Sequence, residues 1–157
     1  MSRHEETTSR KLDHLRICSK HDIEAGKSGF PDIRIVHAAL PECDMDGIDL
    51  SCRFLGHSLA TPLFIAAMTG GHPDTTEVNR RLARAAEQYG CAIGVGSQRA
   101  ALERPDLAES FAVVREEAPT AFIAANIGAV QLREHGTGWA EGAVSMIDAD
   151  AIAIHLN

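Results

Sequence analysis

Four stretches of the chain are apolar without alternating with polar residues: LFIAAMT (63–69), CAIGVGS (91–97), AFIAANIGA (121–129) and AIAIHLN (151–157). Unbroken apolar runs of this length mark strands covered on both faces, the situation of a parallel sheet. Helical patterns lie between them. DTTEVNRRLARAAEQYG (74–90) sets Val78, Leu82, Ala85 and Tyr89 on one stripe. Asp74 and Glu77 there have capping-box spacing, and Gly90 stands where a C-terminal glycine cap belongs. PDLAESFAVVREEA (105–118) turns Leu107, Phe111 and Val114 inward, with Pro119 just past its end. A weaker pattern from Trp139 to Ile147 carries Ala143, Val144 and Ile147. The resulting order, βαβαβαβ, belongs to the α/β class.

Upstream of Pro62 the texture differs. Thr8 or Ser9 is placed to cap a helix from Arg10 to about Lys20, in which Leu12, Leu15 and Ile17 are the apolar positions. IRIVHAAL (33–40) reads as extended, and PECDMDGIDL (41–50) as an acidic turn around Gly47. Alternation at Ile48, Leu50, Cys52 and Phe54, with Gly56 following, predicts a hairpin. The chain therefore divides into an N-terminal lead-in (1–61) and a strand–helix repeat (62–157) within one domain.

The repeat has a period. The polar residues that close the four runs are Thr69, Ser97, Asn126 and His155, spaced 28, 29 and 29 residues apart. One strand and its crossover helix take about 30 residues. Each unit thus delivers a polar side chain at the carboxyl end of its strand. Those ends form the active face of a (β/α)8 barrel, and they also bind ligands in a doubly wound open sheet.

Composition narrows the function classes. The net charge of −7 disfavours a large basic face for nucleic acid. Cys18, Cys43, Cys52 and Cys91 form no CxxC pair, which argues against zinc. Residues 1–30 are polar and charged, with no signal-peptide pattern, and no apolar run approaches the ~20 residues of a membrane span. Reduced thiols, a cytoplasmic location and no membrane partner are the expectation. Cys91, leading into an apolar run, is expected in the core.

MTGG (68–71) offers a hydroxyl and two glycines, either a tight turn or a close approach for a flat or charged ligand. GVGSQR (94–99) opens like a dinucleotide fingerprint but ends on Arg99, where that fingerprint needs glycine. Ser97 and Arg99 suggest contacts to an anion or to a cofactor's polar edge. Asn126 interrupts an apolar strand, and a buried amide needs partners. His155 and Asn157 alternate, so both face one way. Arg10 and Lys11 are adjacent cations that could clamp a phosphate, the first as a fork and the second as a point charge.

RKLDHL (10–15), AAMTGG (66–71), VGSQR (95–99), AANIGA (124–129) and AIHLN (153–157) together resemble the motifs of type 2 isopentenyl-diphosphate isomerases, in the family's order and across nearly the whole chain. That resemblance implies a TIM (β/α)8 barrel fold. It implies interconversion of isopentenyl and dimethylallyl diphosphate with reduced FMN, NADPH as reductant and Mg²⁺. By the same resemblance Ala67, Met68, Thr69, Ser97 and Asn126 would contact FMN. Arg10, Lys11, Ser97, Arg99, His155 and Asn157 would bind the diphosphate substrate. No side chain is implied as the catalytic acid; the reduced flavin would take that role. The family forms homo-oligomers at full length.

The family continues beyond this asparagine with Pro-Leu-Gln-Glu, whose Glu binds Mg²⁺, and with four more strands. A (β/α)8 barrel takes about 250 residues, so the chain is expected to be a partial barrel with about the first four strands. Open strand edges then predict poor folding or association and little isomerase activity for the chain alone. Two other readings stand beside this one. One is an FMN-dependent oxidoreductase of the 2-hydroxy-acid type; the other is a non-catalytic half-barrel that binds phosphate or flavin.

Overall fold

Successive residues of AFIAANIG alternate between two different cores, and this alternation organises the molecule. Ala121, Ile123 and Ala125 join one cluster, while Phe122 and Ala124 join another. A strand that points successive side chains to opposite faces produces this division. The computed structural model describes residues 13–23 and 25–156. Arg10, Lys11 and Asn157, the proposed caps Thr8 and Ser9, and the start of the first helix lie outside the described residues.

Helix α1 occupies residues 13–20. The stretch 33–40 forms no ladder, and Ile35, Val36 and Leu40 are exposed. The acidic turn is a single 3₁₀ turn, Met45–Gly47. The hairpin forms as its pattern predicts: β1 (Cys52–Phe54) pairs antiparallel with β2 (His57–Leu59), with Phe54 opposite His57. The two turn residues, Leu55 and Gly56, have φ of 47° and 87°. Positive φ at both centres is the turn that matches the strands' own twist.

The main sheet is parallel and its strands run in sequence order: β3 (Phe64–Ile65), β4 (Ala92–Gly94), β5 (Ile123–Gly128) and β6 (Ala151–His155). The connecting helices are α2 (Thr76–Tyr89), α3 (Arg99–Glu103), α4 (Glu109–Glu117), α5 (Ala129–His135) and α6 (Thr137–Met146). Ala83 and Ala86 of α2, Phe111, Val113 and Val114 of α4, and Ala143 of α6 all bury against Ile93, Val95, Ile123 and Ala125. These helices therefore cover one face of the sheet. The other face carries the hairpin: Leu59 packs with Ala92, Phe122 and Ala124, and Phe54 meets the edge of Phe122 at 5.2 Å. The strand order does not reverse, so the doubly wound alternative, with helices on both faces of a reversing sheet, does not describe this chain. The four-stranded sheet is not closed: β3 and β6 are its edges.

Several local expectations change. The strands are shorter than their apolar runs: the last residues of the first two runs leave the ladder for loops, and the run at 121–129 loses two residues at its start and gives its last to α5. The α2 stripe is Asn79, Ala83 and Ala86, with Val78, Leu82 and Ala85 half-buried and Tyr89 62% exposed. Small residues face in because α2 lies close to α4. Asp74 and Glu77 form no capping box; His72 Nδ1 instead accepts from the Asp74 amide at 3.0 Å, heading a 3₁₀ turn that leads into α2. Gly90 is the left-handed cap expected, with φ 59°. Leu107, Phe111 and Val114 are buried as predicted, as is Cys91. The short helices α3 and α5 carry too few turns to leave a periodic pattern.

Candidate functional site at the strand ends

The carboxyl ends of the parallel strands share one edge of the sheet. Asn126 and Gly128 project from β5 on the hairpin face, as Phe122 and Ala124 do. In register with them are Ala153 and His155 of β6. A Cβ on Gly128 would lie 2.9 Å from His155 Cε1 and 3.1 Å from its Nε2. The imidazole thus rests over the bare backbone of Gly128, two residues beyond Asn126. Asn126 is 8% exposed.

Small residues line the rest of this face: Gly94 opposite Ala124, and Ala153 opposite Asn126. A Cβ at Gly94 would meet the Phe64 ring at 3.1 Å and Ala67 Cβ at 3.3 Å. Past β3, Ala67 and Met68 are exposed, whereas Thr69 is buried. The Thr69 hydroxyl donates to Asn79 Oδ1 at 2.6 Å, and its carbonyl accepts from the Gly96 amide at 2.8 Å. The second bond ties the loop after β3 to the loop after β4. Ser97 is half-buried in that second loop.

Arg99 opens α3 with its Nε 2.8 Å from Glu103 Oε1, an i,i+4 pair. It is neither fully solvated nor buried, with 29% of its side chain exposed. The structure thus brings Asn126 and His155 together on adjacent strands and joins the loops of Thr69 and Ser97. Arg10, Lys11 and Asn157 fall outside the described residues.

Gln98 is a buried position at these strand ends that the sequence pattern does not single out. It is fully buried, yet polar. Its amide Nε2 donates to the Ala143 carbonyl at 2.8 Å, and its Oε1 accepts from the Asn126 backbone N–H at 3.0 Å. It stands in for a missing strand residue, extending the β4–β5 ladder and tying it to α6. The sequence signal available was its place between Ser97 and Arg99 in a loop at the end of a strand.

Two lowered carboxyls, Asp150 and Glu87, lie at the opposite end of the sheet. Burial alone would raise the Asp150 carboxyl, but the Ile123 amide and the Arg115 guanidinium outweigh it and hold the group below its ordinary value. The Thr120 hydroxyl, with the Thr120 and Ala121 amides, likewise lowers Glu87. These groups pin the amino ends of the strands and are structural.

Residues 16–149 match the family model described as FMN-dependent dehydrogenase. Among curated proteins, the isopentenyl-diphosphate delta-isomerase of Methanoregula boonei is 67% identical over 151 residues, covering 96% of this chain and 42% of that protein. Proteins of the same name from Methanosarcina barkeri and Archaeoglobus fulgidus are 55% and 54% identical, over 96% of this chain and 42% and 44% of their own lengths. The chain spans less than half the length of these curated relatives.

Proposed function

Since the chain belongs to the FMN-dependent dehydrogenase family, we propose that it forms the flavin- and substrate-facing first half of a (β/α)8 barrel that isomerises isopentenyl diphosphate to dimethylallyl diphosphate. Identity of 67% over 151 residues to a protein of that name carries the choice of reaction. Sequential parallel strands with helices on one face support the barrel reading, because a barrel is wound in that way. The hairpin then covers the amino-terminal end of the barrel interior, and the opposite end stays open for ligand.

The residues present suit a flat, polar-edged ring. Gly94 lets the Phe64 ring and Ala67 close against the sheet, and Ala67 and Met68 offer exposed apolar contact beside them. Thr69, Ser97 and Asn126 would supply polar contacts to the edge of FMN. When bound in reduced form, FMN supplies the acid–base chemistry that an unactivated alkene demands. NADPH would be the reductant.

The chain's own part is orientation and charge. The reaction adds a proton at one end of an allylic system and removes one at the other, with no net redox change. Positive charge develops near the diphosphate-bearing carbon, so the diphosphate must be held firmly and apart from that charge. Arg99 would grip it through its Nη groups, since its Nε–H is taken by Glu103. His155, Ser97, Asn157, Arg10 and Lys11 would complete the grip. No group of His, Cys, Asp and Glu among the described residues is arranged to hold a metal ion. Among the described residues no helix is long and apolar enough to cross a membrane.

The full-length gene product, supplied with FMN and NADPH, should convert isopentenyl diphosphate and leave 2-hydroxy acids untouched. Oxidation of a 2-hydroxy acid without isomerisation would transfer the site to the dehydrogenase chemistry that the family's description carries.

A further inference from the structure

The loop Thr69–Gly70–Gly71 has two glycines with φ of 131° and 83° and little side chain of its own to fix it. A chain of buried polar groups from the helix layer fixes it instead. Thr69 Oγ1 donates to Asn79 Oδ1 at 2.6 Å, and Asn79 Nδ2 donates to the Ser110 carbonyl at 2.7 Å. The Ser110 hydroxyl accepts from the Gly71 amide at 2.8 Å and donates to the Leu107 carbonyl at 2.7 Å. Asn79 and Ser110 are 3% and 2% exposed.

The order of these bonds is fixed by chemistry. A carbonyl can only accept, so the amide nitrogen of Asn79 must face Ser110 and its oxygen must face Thr69. The Thr69 hydroxyl must then give its proton to Asn79. On its other side, that oxygen offers lone pairs only. Helix packing does not explain Asn79. Asparagine is a poor interior helix residue, and an apolar side chain at that position would avoid burying an amide between α2 and α4.

We propose that Asn79 and Ser110 are positioning residues that hold the 69–71 loop in the shape FMN binding requires, and that present the Thr69 hydroxyl as an acceptor; this rests on the flavin reading of the site. They act through the loop and touch no ligand themselves. Asn79 removes the torsional choice of one hydroxyl, and Ser110 removes the freedom of one glycine amide.

The test is FMN affinity, followed by flavin fluorescence on the full-length gene product, with thermal stability and the visible circular dichroism of the bound flavin read alongside. Asn79→Leu and Ser110→Ala should each weaken FMN binding by about tenfold, the usual effect of unpinning one or two hydrogen bonds, and should change the dichroism. Leu82→Ala is the control: it trims the same helix at a half-buried core position whose side chain can form no hydrogen bond to the loop. It should lower the melting temperature and leave FMN affinity within about twofold. Wild-type-like affinity in either loop-lock variant, or an equal loss in Leu82→Ala, would overturn the proposal while leaving the flavin reading intact. A wild-type protein that takes up no FMN would overturn the flavin reading itself, and the positioning role with it.

Discussion

Gln98 and Asn126 are joined twice: the Gln98 backbone N–H donates to the Asn126 carbonyl at 2.9 Å, and Gln98 Oε1 accepts from the Asn126 N–H at 3.0 Å. The side chain of one residue thus completes the main-chain pairing of another, at the point where β4 has ended and β5 continues. Removing it strands two buried groups, the Asn126 amide and the Ala143 carbonyl. Gln98→Leu should lower unfolding free energy by about 3 kcal/mol, at the rate of an unsatisfied buried group each. Urea denaturation measures it. The same variant should lose bound FMN, because Asn126 would no longer be held in place.

Gly70 tests the close packing behind the loop. A Cβ there would overlap the Phe111 ring, and φ is 131°. Gly56 also has a positive φ, 87°, but nothing lies within 4 Å of its would-be Cβ. Gly70→Ala should therefore cost about 3 kcal/mol or more, strain and overpacking combined, and Gly56→Ala about 1 kcal/mol. Thermal melts of the two variants make the comparison.

How much of this was legible in the sequence depended on where the signal lies. The four apolar runs located the strands, and the 28–29-residue period located their polar ends, because a βα unit has a nearly fixed length. The turn at Gly56 and the cap at Gly90 were legible because positive φ restricts residue choice, whereas Leu55, at φ 47°, carries no such signal. The α2 burial stripe was not: Asn79 faces inward for its hydrogen bonds, and alanines face α4 because the helices approach closely. Periodicity counts large apolar side chains, so it favoured Tyr89, which is exposed. Gln98 was illegible for a related reason, since its role is set by two main-chain partners remote in sequence.

Acid should destabilise the fold through the amino-terminal end of the sheet. Asp150 and Glu87 have folded-state values below their ordinary ones, so their contribution is complete above the unfolded values, near pH 4. It is lost as pH falls through the folded values. Stability measured by urea titration should be flat from pH 6 to about 5 and drop below about pH 4. Asp150→Asn should flatten part of that drop. Arg115→Met should lower stability at neutral pH as well, because Arg115 donates to the carbonyls of Ala118, Pro119, Ala121 and Asp148 besides pairing with Asp150.

Arg99 and His155 should show their role in substrate capture. Arg99→Met removes a forked cation from the diphosphate, and KM for isopentenyl diphosphate should rise about tenfold or more while FMN affinity holds. Glu103→Gln, which removes the negative charge beside Arg99 but keeps an acceptor for its Nε–H, should change KM less. His155→Ala should raise KM in the same direction. Steady-state kinetics beside FMN titration separates these effects from a loss of cofactor.

The most direct measurement follows the proton. The full-length gene product, with FMN, NADPH, Mg²⁺ and isopentenyl diphosphate in D₂O, is examined by proton NMR. The expected product is dimethylallyl diphosphate carrying deuterium in a methyl group, with no net consumption of NADPH once the flavin is reduced. Isopentenyl diphosphate recovered unchanged from protein that holds FMN, with no deuterium in any product, would contradict it.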